Sequence, residues 1–122
     1  MYNRQFIRIR LRDGPFESYY QKDLQYPLEF PLYEDQVWLA KCQLSMVYDV
    51  PEKKVEYLIS KILLSLHQTE ADYHRYFPVV RFGNHSSQHK FYRIDLALLV
   101  GRAIGSDGYH RLKAWLRIKF NI

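Results

Sequence analysis

"QLSMVYDVPEKKVEYLISKI", Gln43 to Ile62, is the stretch that decides how this chain is read. Gln43 to Tyr48 predicts a short helix with Leu44 and Val47 turned inward. Asp49 stands at the turn that follows, where a left-handed backbone suits Gly best and Asn or Asp next. Val50 packs inward again. Pro51 fits the first turn of a second helix, because its missing N–H costs nothing there, and Glu52 suits the positive helix end. The second helix is expected over residues 52–67. Val55, Leu58, Ile59, Ile62 and Leu66 recur at alternating three- and four-residue spacing and form one apolar stripe. Lys53, Lys54, Glu56, Tyr57, Ser60 and Lys61 fall largely off that stripe. The outline is a helix-turn-helix. Its second helix, however, mixes Lys with Glu52 and Glu56, and acids are unusual on a surface that faces phosphate.

The segments around it complete an α+β pattern. Upstream, "FIRIRLR" alternates: Ile7, Ile9 and Leu11 on one side, Arg8, Arg10 and Arg12 on the other, the period of a half-buried strand. "DGP" signals a turn, and "FESYYQ" reads as the returning strand. The three arginines can track phosphates, or they can be a solvated face that protects a sheet edge. Pro27 and Pro31 rule out a regular helix in "YPLEFPLYEDQ", which reads as a linker. "VWL" from Val37 reads as a short strand. Downstream, "TEADYHRYFP" is a polar connector with a short helical turn. "VVRF" and "HKFYRI" are strand-like, and "GNHSSQ" is the hairpin tip between them. Asp95 is the expected N-cap of a third helix, "LALLVGRAI", ending at Gly105. "GSDG" is a loop, and "YHRLKAWLRIKF" is a fourth helix with Leu112, Trp115 and Leu116 inward and Lys113 and Arg117 outward.

Hence the expectation is one domain over residues 1–122, of winged helix-turn-helix type with an N-terminal β-hairpin and two C-terminal helices. Residues 1–36 form the hairpin and linker, 37–67 the helix-turn-helix, 78–94 the wing hairpin and 95–120 the helical C-terminal part. The 122 residues suffice for one core. Apolar residues make up 48% and charged residues 25%, a globular composition. No apolar run reaches the ~18–20 residues of a membrane span. Cys42 is the one cysteine, so neither an internal disulfide nor a thiol-rich zinc site can form, and a reducing bacterial cytoplasm is the expected location.

The net charge is +5. Residues 1–61 balance nine Lys/Arg against nine Asp/Glu, whereas residues 62–122 hold nine Lys/Arg against four Asp/Glu. A basic excess on one half suits a polyanion, although it can also serve only solubility. The candidate DNA contacts are Lys53, Lys54, Tyr57, Ser60 and Lys61 on the second helix. On the hairpin they are Arg81, Asn84, His85, Ser87, Gln88 and Lys90, donors of the kind that hold backbone or enter a minor groove. Lys113 and Arg117 on the last helix add charge or meet a dimer partner. Each group also reads plainly as a solvated face.

No metal, cofactor or catalytic site is expected. His85 and His89 have a ligand-like spacing but lie in a hairpin without further ligands. No Gly-rich phosphate loop or nucleophile elbow occurs. Tyr, Arg and His are plentiful, yet no arrangement marks a tyrosine-nucleophile enzyme.

"VWLAKCQLSMVYDVPEKKVEYLISKI" and "HKFYRIDLALLVGRAIGSDGYHRLKAWL" together resemble the two ordered blocks of the RhuM family, proteins of bacterial mobile elements related in style to phage antirepressor domains. The resemblance covers roughly residues 37–120. It implies a helix-turn-helix fold and a genetic setting more than a reaction. Asp49 stands where the family often has Gly, Ser45 where it has Ala, and Pro51, Glu52 and Glu56 where it has small or polar residues. The packing positions are kept and the DNA-facing ones altered. The resulting expectation is a non-catalytic double-stranded DNA-binding regulator, dimeric, with no membrane partner. The alternative is a protein-interaction module, antirepressor-like or inhibitory, that keeps the fold without sequence-specific DNA binding; Glu52, Glu56 and the tyrosine-rich "ESYYQKDLQYPLEFPLY" favour it.

Overall fold

The computed structural model of the chain describes residues 8–80 and 86–121. Within them the order is β1 (Phe16–Tyr19), β2 (Leu28–Tyr33), β3 (Gln36–Leu39), α1 (Lys41–Tyr48), α2 (Glu52–Ser65), a 3-10 turn (Glu70–Asp72), β4 (His74–Val80), β5 (Ser86–Arg93), α3 (Ile94–Ile104) and α4 (Asp107–Phe120). The strands form one antiparallel sheet in the order β1-β2-β3-β5-β4. The fold is α+β, with four α-helices and a five-stranded sheet among the described residues.

Strand alternation divides the sheet into two faces. Leu28, Phe30, Val37, Leu39 and Tyr92 point to the helices and join Leu44, Val47, Val55, Ile59, Leu96, Val100, Leu112 and Leu116 in the main core. Trp38, Val79 and Phe91 point to the other face and pack with Ala40, Phe77, Ile9 and Leu11 in a second, smaller cluster.

The N-terminal third departs from expectation. The "linker" contains β2, and β1 pairs with it. The two prolines made that strand hard to see. Pro31 is tolerated because of where its nitrogen points. Leu32 donates its N–H to Pro15 O on the β1 side, so the nitrogen of Pro31 faces β3, and the β2–β3 ladder stops at Leu32↔Val37. No ladder hydrogen bond is missed. "FIRIRLR" is not a paired strand in its described part. Leu11 makes a single bridge to Val79, flanked by Val80 N–H donating to Arg10 O and Arg12 N–H to Pro78 O. Those residues cover the outer edge of β4, which also absorbs Pro78. The expected facing survives: Ile9 and Leu11 lie inward, and Arg10 lies outward on Glu29.

The helical elements follow the sequence closely. Asp49 is left-handed at φ 57°. α1 starts two residues before Gln43, whose side chain accepts the Ala40 N–H and donates to Glu29 O, tying α1 to β2. Pro51 is the N-cap of α2 rather than a residue of its first turn. The buried positions of α2 are Val55, Ile59 and Leu63, whereas Leu66 lies beyond the helix and is exposed. Asp95 is not the N-cap of α3. Arg93 holds that position, and Asp95 sits in the first turn, paired with Arg93. α4 starts earlier than expected: Ser106 holds its N-cap position without a side-chain capping bond, and Gly108 lies inside it. A Cβ on Gly108 would meet Val47 O at 1.7 Å, so only glycine lets α4 start against the end of α1.

Candidate nucleic-acid interface

α2 carries the densest group of expected contacts. Its Val55–Ile59–Leu63 row is buried, which turns Lys53, Lys54, Tyr57, Ser60 and Lys61 to solvent. Lys61 sits over the Tyr57 ring at 5.7 Å, and Leu64 lies on the same exposed face at 77% exposure. Glu56 does not stand as a free acid on this face. Lys41, at the start of α1, donates a hydrogen bond to its carboxylate. That bond and the Lys41 charge hold the Glu56 carboxyl below its ordinary range. The side that looked hostile to phosphate is thereby locally compensated.

The β4–β5 hairpin is tied to the 3-10 turn that follows α2 through Glu70. Lys90 Nζ donates to Glu70 Oε1 at 2.8 Å, and the Tyr92 hydroxyl donates to the same oxygen at 2.6 Å. His74 Nδ1 lies 2.7 Å from the Glu70 backbone carbonyl. Partial burial opposes the charge on Glu70, but the Lys90 and Tyr92 hydrogen bonds outweigh it and lower the carboxyl. Burial first, and then the bond to Glu70, push the Tyr92 phenol up. Lys90 is therefore a positioning residue that fixes the hairpin, and a phosphate would have to compete with Glu70 for it. Gln88 is exposed and Ser87 half-buried on the same strand. Arg81, Asn84 and His85 lie outside the described residues, as does the hairpin tip.

Lys113 and Arg117 are exposed on α4. α2 and α4 each pack against both α1 and α3. α2 and α4 do not pack closely on one another, so the two basic groups sit on separate helices.

Sequence reasoning missed Glu70 and Lys41. Lys41 and Glu56 are 15 residues apart, and Glu70 and Lys90 are 20 apart. No local spacing pairs such residues; only the packing of α1 on α2 and the return of β5 does. Among the described residues no group of His, Cys, Asp and Glu could hold a metal ion, and no helix is long and apolar enough to cross a membrane. No family model, curated protein or solved structure matches the chain.

Proposed function

We propose that this chain binds double-stranded DNA without catalysing a reaction on it, as a winged helix-turn-helix of the RhuM type. The observation that carries the reading is the solvent face of α2, where Lys53, Lys54, Tyr57, Ser60 and Lys61 stand together with Glu56 compensated by Lys41. The order β3-α1-α2-β4-β5, with β5 lying between β3 and β4, supports it further. In this reading the β4–β5 hairpin, which follows the second helix of the pair, serves as the wing. α2 then lies against the major groove, and Gln88 and Ser87 rest on the backbone. A dimer would present two such helices to half-sites one turn apart. A regulatory role on a bacterial mobile element or phage, in the cytoplasm, is the setting that the likeness to RhuM suggests.

Replacing Lys53 and Lys54 together by Glu tests the reading. Both are exposed, so the fold tolerates the change, and duplex binding in low salt should be lost. Unchanged binding by the variant would refute α2 as the contact. One observation favours a second reading. Leu64 is 77% exposed on the same solvent face as Tyr57. An apolar side chain there suits a thymine methyl, but it suits a protein surface equally well. An antirepressor-like module would keep its partner when Lys53 and Lys54 are reversed and lose it when Leu64 becomes Gln.

A further inference from the structure

The outer face of α4 is basic and apolar at once. His110, Lys113, Ala114, Arg117 and Ile118 line one shallow groove along it. Two rows make up that face. His110, Ala114 and Ile118 follow one another at four-residue steps, and Lys113 and Arg117 run alongside them one turn apart. Ile118 is 86% exposed, more than any other large apolar side chain among the described residues.

The charges on α4 divide into two classes. Arg111 Nη1 lies 2.8 Å from Asp23, and Lys119 Nζ lies 3.3 Å from Glu17. Those two cations hold α4 to the segments around β1. Lys113 sits beside the Tyr109 ring at 5.8 Å, and neither it nor Arg117 has a carboxylate partner among the described residues. Asp107, in the first turn, is the one acid on the helix. Two cations with no carboxylate partner among the described residues thus run beside an exposed isoleucine.

We propose that this face of α4 docks an acidic amphipathic helix of a partner protein. Carboxylates one turn apart on such a helix match Lys113 and Arg117, whose separation is the ~5–6 Å of an i, i+4 pair. An apolar residue beside them covers Ala114 and Ile118. A phosphate backbone would satisfy the cations but leave Ile118 in water, so the isoleucine separates the two classes of ligand. The groove is lined by α4 residues alone, so the proposal stands or falls apart from the DNA reading of α2.

Fluorescence anisotropy with a labelled, end-blocked synthetic helix tests it. The probe carries Glu at i, i+4 beside a row of Leu, and a control peptide has every Leu replaced by Gln. The intact chain should bind the probe with micromolar affinity. Lys113→Glu with Arg117→Glu, and separately Ile118→Gln, should each weaken it by about tenfold or more, with circular dichroism unchanged. The Leu-free peptide should bind the wild-type chain as weakly. A short DNA duplex should not displace the probe. Three results would overturn the proposal: no binding of the probe, equal binding of the Leu-free peptide or of the Ile118→Gln protein, or displacement by duplex together with loss of duplex binding in the Lys113→Glu/Arg117→Glu protein. The last would make the face a nucleic-acid surface.

Discussion

The guanidinium of Arg75 in β4 stacks on the ring of Tyr33 in β2, 4.0 Å from its centroid, although β3 and β5 separate those strands in the sheet. A flat sheet would hold such strands roughly 14 Å apart at the usual ~4.8 Å spacing. The sheet must therefore curl around Trp38 and Phe91. Tyr33 closes on Phe77 at 6.2 Å, Trp38 on Phe77 at 5.9 Å, and Phe77 on Phe91 at 5.5 Å. Glu29 completes the closure from β2 by accepting the Leu11 N–H at 2.8 Å. The cluster is the curled side's own small core. Phe91→Ala, at a fully buried site, should cost ~3–5 kcal/mol in urea melts. Arg75→Ala should cost no more than ~1 kcal/mol, since its contact lies at the surface. Equal losses would mean that the stack, not the buried rings, sets the curl.

Gly101 in α3 faces Tyr48 so closely that an added Cβ would lie 2.5 Å from the ring and 2.6 Å from Tyr109. The Tyr48 hydroxyl donates to Ala97 O at 2.7 Å, which fixes the ring in place. Gly101→Ala should therefore destabilise by ~1–3 kcal/mol from overpacking, despite alanine's better helix propensity. Tyr48→Phe should cost ~1 kcal/mol, the worth of one hydrogen bond. Chemical denaturation of both variants reads these values, and a stabilised Gly101→Ala protein would contradict the packing.

Tyr33 and Gln36 pair across a two-residue turn whose central residues, Glu34 and Asp35, have φ 54° and 59°. That is the left-handed pair a tight hairpin needs, and Asn-Gly fills it best. Glu34→Asn with Asp35→Gly should raise stability by ~1 kcal/mol or more, with no change elsewhere. The midpoint of urea unfolding checks it.

The buried tyrosines predict alkaline lability. Burial is the main cause that pushes the Tyr19 phenol up to about 12, with Arg111 pulling back. Burial also raises Tyr48, helped by Tyr109 and Tyr19, and it raises Tyr92. Each phenol is higher in the folded than in the unfolded chain, so the folded state keeps its proton longer. Their contribution is whole below pH 10, the ordinary tyrosine value, and fades as pH rises toward the folded values. Stability should hold flat from pH 8 to 9.5 and fall steeply above 10. Ultraviolet titration should show a set of phenols that ionises only on unfolding.

What the sequence revealed was local. The turn at Asp49, the three-four stripe of α2, the Gly105 stop and the alternation of Ile9 and Leu11 each depend on neighbours in the chain. β2 was hidden because its prolines look like breakers, and they are tolerated only through the side to which each nitrogen points. The α2 surface was legible residue by residue. Its electrostatics were not, since Lys41 and Glu70 reach their partners only through packing. The close seating of α4 against the end of α1 at Gly108 depends on how the helices pack together, which no spacing along the chain encodes.

Fluorescence anisotropy of the wild-type chain with a labelled random-sequence duplex, titrated at several salt concentrations, tests the DNA reading most directly. A few lysine–phosphate contacts on α2 predict log K falling linearly with log salt, with a slope of about −0.9 for each phosphate engaged. The account expects a slope worth ~3–5 contacts, reduced when Lys53 and Lys54 are reversed. No binding at the lowest salt, or binding indifferent to salt, would contradict it.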